Sequence, residues 1–299
     1  RNRGFEAEVS YNKSINKDFG FNVAFNMSAI KNKMTELDGD VSYIGLPTSV
    51  IHSLNFDQEV SRSAIGQPIG SFYAYKEDGL FQSEAEIKSY TNNKGELLQP
   101  NAKPGDIKFV DVNGDGVIDG NDRDYIGNPL PDVTAGLTLG VNFHNFDLSL
   151  FFQGMFGNDV YDLTRYVGDF YNQSQYNKNS RVVNAWTPTN TNTDIPRVTM
   201  DDPNNNIRPS SYYVQDASFV RLKNMKIGYS VPQSILSKIK FNSLYIYAQA
   251  TNLFTITGFD GADPEAAYDF NNQASTELSR GGSYYPLTRN YSFGVNLSF

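Results

Sequence analysis

The segment Arg289–Phe299 restricts the fold more than any other stretch of the chain. Tyr291, Phe293, Val295, Leu297 and Phe299 alternate there with Asn290, Ser292, Gly294, Asn296 and Ser298. A strict period of two builds a strand with one greasy face and one small or polar face. The greasy face carries aromatics at both ends, and the sequence closes on one of them. A strand in the middle of a soluble sandwich shares the alternation but rarely finishes on a bare Phe. About ten alternating residues with an aromatic girdle at each end are the pattern of a strand that faces lipid in a β-barrel.

The same alternation recurs. Phe5, Ala7, Val9 and Tyr11 form one apolar face, Phe19, Phe21, Val23, Phe25 and Met27 a second, and Leu137, Leu139, Val141 and Phe143 a third. Phe146, Leu148, Leu150, Phe152 and Phe156 form a fourth, opposite Asp147, Ser149 and Gln153 and interrupted by Phe151 and Met155. Two further segments are rich in β-formers without clean alternation. The reading is all-β, with about seven antiparallel strands near 4–12, 19–30, 134–144, 146–156, 218–230, 241–251 and 289–299. No apolar run approaches the ~18 residues of a spanning helix. Hydrophobic content of 39% does not argue against a barrel, because lumen-facing residues dilute the apolar ones.

The links alternate short and long. Lys13–Asp18, His144–Asn145 and Val231–Lys240, where Pro232 stops a strand, are short or moderate; the stretches near 32–133, 157–217 and 252–288 are long. Barrels of the outer membrane keep short turns on the periplasmic side and long loops outside. If the last strand ends in the periplasm, every short link falls on that side and 32–133 holds zero or an even number of membrane strands. The count is then odd, and an odd set cannot close without leaving edges in lipid. The chain therefore reads as the C-terminal portion of a larger barrel. Arg1 is not an initiator Met and no secretory signal stands at the start, in keeping with a cleaved or partial chain.

Within the long links, Ser83-Glu84-Ala85-Glu86 is a capping box that predicts a short helix near 83–90. Tyr161–Tyr171, with Leu163 and Val167 four apart, suggests another. Thr187–Asp194 and Asp201–Asn206 are Asn, Thr and Pro runs of surface-loop type.

One motif carries sharp chemistry. Asp111, Asn113, Asp115, Asp119 and Asp122 stand at positions 1, 3, 5, 9 and 12 of a calcium-type loop, Val117 offers its carbonyl at position 7, and Gly116 takes the sharp turn at position 6. Ile118 at position 8 can pin the loop to a core. Mutual repulsion among the carboxylates argues for a structural Ca²⁺. Asp in place of Glu at position 12 shortens the reach, as in the dockerin-type variant that the spacing resembles. The competing reading is a cluster of Asx turns without metal.

Other chemistry is thin. There is no cysteine, so disulfides and thiolate metal sites are excluded. A net charge of −8 offers no basic footprint for nucleic acid. His52 and His144 are the only histidines, and His144 sits at a tight turn. No nucleophile elbow, P-loop or zinc pattern occurs, and no carboxylate pair stands out as acid and base, so no enzyme is expected. Trp186 reads as a packing anchor more readily than as a sugar platform.

With these residues in view, the chain resembles the SusC/RagA family of TonB-dependent outer-membrane transporters of Bacteroidota. The matching stretches run in family order: Ile69–Tyr75, Asp78–Phe81, Gly105–Phe109 and the calcium-type loop, then Ile126–Pro129 and Pro131, Trp186–Pro188 and Asp194–Arg197. Phe219–Asn224, Gly228-Tyr229, Pro232, Thr251–Phe254, Gly258–Gly261, Asp263–Glu265 and the terminal strand complete the set. The resemblance implies a 22-stranded transmembrane β-barrel filled by an N-terminal plug, which lies outside this sequence together with the segment that contacts TonB. It implies a SusD-like surface lipoprotein as lid over long extracellular loops, and import of an oligosaccharide or a peptide driven through TonB. Seven strands here leave fifteen upstream. The alternative weighed from the residues alone is a secreted, soluble all-β glycan-binding module with structural calcium. A secreted hydrolase, resting only on abundant carboxylates, is weaker still.

Overall fold

The computed structural model describes residues 1–45, 59–171, 177–265, 278–279 and 287–299. Seven long strands run as β1 (Asn2–Asn16), β2 (Phe19–Asn32), β3 (Val133–Phe143), β4 (Phe146–Phe156), β5 (Phe219–Ser230), β6 (Ser243–Thr251) and β7 (Asn290–Ser298). They pair antiparallel in chain order, each with its sequence neighbour, and the short strand Thr255–Thr257 adds a further pairing beside β5. Alternation places the strands, and the tight turns set their register. His144 turns with φ of 51° between β3 and β4, so Phe143 lies opposite Phe146.

The register converts seven separate alternations into two continuous faces. Tyr11, Val23, Leu139, Leu150, Met225, Ala250 and Tyr291 are successive cross-strand partners and form one apolar row. One residue along, Asn12, Asn22, Gly140, Ser149, Lys226, Gln249 and Ser292 form a row on the opposite face, polar apart from its glycine. A slip of one residue in any strand would put polar side chains into the apolar rows, which is why the register is strongly specified.

At the turn end, Phe19, Phe143, Phe146 and Tyr229 continue the apolar face as a belt that ends in Ile246 and Val295. Phe19 packs edge-on to Phe143 at 6.4 Å, and Phe146 lies 4.6 Å from Tyr229. Ten residues separate Phe19 from Ala29 on this face of β2. At ~3.4 Å per residue and a tilt of ~40°, they rise roughly 26 Å, close to the height of an apolar barrel band.

The polar face has its own packing. Tyr245 and Tyr247 on β6 stack with centroids 5.7 Å apart, and the Lys226 ammonium lies 4.9 Å from each ring. The Tyr245 hydroxyl donates to Asp147 at 2.9 Å. The rings lie over Gly228 and Gly294, where a Cβ would overlap Tyr245 and Tyr247 respectively. These two glycines are required by the close approach of an aromatic face rather than by backbone dihedrals.

The hydrophobic cores lie elsewhere. Among the described residues, the buried clusters are built from the long links: Val60, Phe72, Phe109, Tyr161, Leu163, Tyr213 and their neighbours form the largest. Among the described residues no second sheet covers the apolar face of the long strands, and Phe293 is 85% exposed. A soluble sandwich would bury that face. Among the described residues of 33–132, six short strands span three to five residues each and none joins the main sheet. At ~3.4 Å per residue they are too short to cross a bilayer.

Candidate functional site

The described parts of the long links pack together at the end of the sheet opposite the tight turns. The first part is a four-stranded sheet of Tyr43–Gly45, Ser61–Ala64, Ser71–Tyr75 and Arg123–Gly127, with a hairpin of Glu77–Leu80 and Ile107–Phe109 beside it. A helix at Glu84–Ser89 follows the hairpin's first strand. Ser83 accepts the Glu86 backbone N–H at 3.2 Å, as the sequence indicates, whereas the Glu86 carboxylate accepts the Gln82 N–H at 2.7 Å and not that of Ser83, so the reciprocal half of the box is shifted by one residue. Tyr161–Tyr171 divides instead: Asp159–Asp162 is a strand and only Leu163–Gly168 is helical, capped by Asp162.

Three polar nodes hold this body together. In the first, buried Asp106 receives a forked ion pair from Arg197 at 2.6 and 3.2 Å and the Asn206 side-chain amide at 2.9 Å. Asn206 accepts the Ile107 N–H, Asn204 donates to the Ile107 carbonyl, and Gln99 bonds both the Ile107 carbonyl and the Phe109 N–H. These amides complete the free edge of the strand Ile107–Phe109. The stretch Asp201–Asn206 is a loop with Asp201, Pro203 and Asn205 exposed, as expected, but Asp202, Asn204 and Asn206 alternate with them and are buried.

The second node joins two motifs that are far apart in sequence. Arg221 on β5, 3% exposed, reaches Asp263 at 2.6 Å, Glu265 at 2.7 Å and the Thr255 hydroxyl at 2.7 Å, while Lys223 holds Glu265 at 2.6 Å. The last long link is thus clamped to the sheet at its root. In the third node, Arg165 bonds the Tyr212 carbonyl at 2.9 Å and Asp260 at 3.0 Å, and Arg181 bridges Asp169 and Asp194, each at 3.1 Å. The Tyr212 hydroxyl donates to Asp169 at 2.6 Å. Burial pushes the Tyr212 phenol well above the ordinary tyrosine range, with the Asp169 charge adding to it.

Beside the third node opens a cleft of about 710 Å³. Glu77, Asp78 and Gln82 form one wall, Thr191–Asp194 the second, and Arg165, Ser211 and Tyr212 the third. Burial raises the Glu77 carboxyl above its ordinary pKa, Asp194 and Asp78 add to the effect, and the Gly79 N–H at 2.9 Å opposes it. Trp186 is buried behind this cleft, its indole N–H on the Gln82 side chain at 2.9 Å, which is the packing role expected of it.

The calcium-type loop is built from Asx turns. Asp111 accepts the N–H groups of Gly114 at 2.7 Å and Gly116 at 2.8 Å, Asp115 that of Val117, and Asp119 that of Asn121. Buried Asp122 accepts from Val112 at 2.9 Å and Asp119 at 2.7 Å, and Asn113 accepts the Asp115 N–H. Gly116 holds φ of +87° and Ile118 packs against the main core, as the loop pattern requires. The donors suit a hard cation. However, among the described residues no three acidic or histidine side chains converge as a bound ion demands. The carboxylates face their own backbone amides.

His144 lies 3.7 Å from Asp18 at the tight turn, apart from all of these groups. His52 falls outside the described residues. Sequence reasoning identified the motifs containing Arg221, Asp263 and Glu265 but not their meeting, nor Glu77 or Arg165. Their one signal was charge inside otherwise apolar or turn-forming stretches.

No protein-family model matches the chain. It is 36% identical over its whole length to TonB-dependent receptor P3 of Formosa agariphila and 31% identical to TonB-dependent receptor P26 of the same organism. It is 25% identical to TonB-dependent receptor SusC of Bacteroides thetaiotaomicron. The chain spans 28%, 29% and 26% of these relatives respectively. Among solved structures, one of the RagAB peptide transporter superposes on the entire chain with a TM-score of 0.73 at 24% identity, over 29% of that chain's length. The sheet is therefore a portion of a TonB-dependent transporter barrel, and the chain belongs to the SusC/RagA family of TonB-dependent receptors.

Proposed function

We propose that this chain supplies part of the barrel wall and outer loops of an active nutrient importer in the outer membrane of a Bacteroidota cell. The observation that carries the reading is the pair of continuous rows on the long strands. The apolar row meets hydrocarbon, and the polar row, with Lys226, Asp147 and the two tyrosines, faces the lumen and the plug supplied by the rest of the receptor. The packed links then lie on the extracellular side, where a SusD-like lipoprotein covers them, and TonB acts through the region outside this chain. The substrate is an oligosaccharide or a peptide. The chain carries no catalysis of its own. The secreted glycan-binding module loses its support, because it requires the greasy strand faces to be buried.

Within this reading the Asp111–Asp122 loop holds a structural Ca²⁺. Its ligand spacing supports this.

The test is Phe293→Lys in the intact receptor. A lysine among the lipid-facing residues lowers the yield of folded, membrane-inserted protein. Full folding of that variant without detergent or lipid would overturn the proposal.

A further inference from the structure

The charges lining the 710 Å³ cleft do not balance. Asp78 is neutralised by Lys108 at 2.8 Å, Asp194 by Arg181 at 3.1 Å, and Arg165 by Asp260 at 3.0 Å. Glu77 alone among the lining charges has no ion-pair partner within the described residues. Among the described residues its carboxylate accepts only the Gly79 N–H, at 2.9 Å. A partly buried carboxylate beside two others is unfavourable in its ionised form, and either a proton or a bound cation relieves it.

The remaining walls say what such a cation is attached to. Thr191, Asn192, Thr193 and Ser211 line the cleft, with the Ser211 hydroxyl accepting the Glu77 N–H at 3.0 Å and that of Thr193 the Ile195 N–H at 3.2 Å, whereas its aromatic, Tyr212, is only 5% exposed. An unmodified sugar would find no open ring to stack on. An anion would meet three carboxylates and an Arg165 whose terminal nitrogens are already engaged with Tyr212 and Asp260.

We propose that this cleft binds a protonated primary amine on a polar ligand, with Glu77 as its counter-charge and the threonine-asparagine wall as hydrogen-bonding partner. This rests on the importer reading and names the chemistry of its substrate. A peptide amino group and an amino sugar present the same ammonium.

The experiment is isothermal titration of the intact receptor in detergent with two pairs of probes: trialanine against N-acetyl-trialanine, and the glucosamine trimer against its fully N-acetylated form. At least one free-amine probe binds about tenfold or more tightly than its acetylated partner, as loss of a charge-assisted contact implies. Glu77→Gln removes that preference. Thr191→Lys, which supplies a competing ammonium from an exposed position, removes it as well and covers the case in which Glu77→Gln fails to fold. A preference in the first pair assigns peptides, and one in the second assigns amino sugars. Equal binding within both pairs, no binding by any probe at millimolar concentration, or a preference that survives in folded Glu77→Gln or Thr191→Lys would overturn the proposal. Uptake in cells lacking TonB addresses the importer reading separately. Undiminished uptake there would sink that reading and leave the titration result standing.

Discussion

Leu150→Lys and Ser149→Lys place the same charge on neighbouring residues of β4 that face opposite ways. Leu150 pairs with Leu139 and Met225 in the apolar row, and Ser149 pairs with Gly140 and Lys226 in the polar one. The Leu150 row lies four residues above the Phe19–Phe143 belt, roughly 10 Å along the barrel axis at ~3.4 Å per residue and a tilt of ~40°. An apolar band of ~25 Å has its midplane about 12 Å from either belt, so Leu150 is close to the deepest level. A lysine there costs about 2–4 kcal/mol. Ser149→Lys remains in an aqueous lumen and costs well under 1 kcal/mol, apart from repulsion with Lys226. Val295→Lys sits in the belt row with Phe146 and Tyr229 and costs about 0–1 kcal/mol, because the amine reaches the interface. The assay is reversible urea unfolding of the intact receptor in vesicles, read as the midpoint with the slope held fixed. Equal destabilisation by Leu150→Lys and Ser149→Lys would refute the facial assignment. A larger cost at Val295 than at Leu150 would refute the depth assignment.

Other outcomes follow from the loop body. Arg221→Ala strands the buried Asp263 side chain without its cation and leaves Glu265 to Lys223 alone, costs about 3–5 kcal/mol in local stability, and exposes residues 252–265 to proteolysis at unchanged barrel stability. The folded state holds the Glu77 proton more tightly than the unfolded chain does. The stability of the loop body therefore falls as pH rises from about 4 through the raised pKa and then levels, and Glu77→Gln flattens that slope in pH-dependent limited proteolysis. If Asp111–Asp122 binds calcium, a chelator lowers the melting temperature of the intact receptor and Asp111→Ala abolishes the response; a chelator-insensitive melt with wild-type sequence would exclude a structural ion.

The strands were legible because their information is local. Alternation places β1 to β4 and β7, and richness in β-formers places β5 and β6, within a few residues of where the structure has them, and the tight turn at His144 fixes one register outright. β1 runs on to Asn16, past the expected end at residue 12, because Lys13, Ser14 and Asn16 still pair with Phe21, Gly20 and Phe19. The helix Gln233–Ile239, ended by Lys240 in the left-handed region, was read only as a link. Seven residues are too few for a 3.6-residue period to stand out, and Pro232 marks its start as readily as the end of a strand.

The candidate site was much less legible. Asn204 and Asn206 look like turn residues, and nothing local says that a strand edge 97 to 99 residues away consumes their amides. Arg221 sits in a strand where an arginine reads as a lumen residue, and only the fold brings Asp263 and Glu265 to it. Glu77 is one carboxylate among many until its neighbours prove to be paired and it does not. The calcium-type loop shows the converse: a pattern clear in sequence whose carboxylates, in the fold, are occupied by their own backbone amides.

The most direct measurement is spin-label accessibility along β3 of the intact receptor in lipid vesicles, with one label at a time from Leu137 to Asn142. Lipid-dissolved oxygen should relax labels at Leu137, Leu139 and Val141 strongly, and labels at Thr138, Gly140 and Asn142 weakly, with a period of two. Uniformly low oxygen access across all six positions, without alternation, would mean that protein rather than hydrocarbon covers the apolar face.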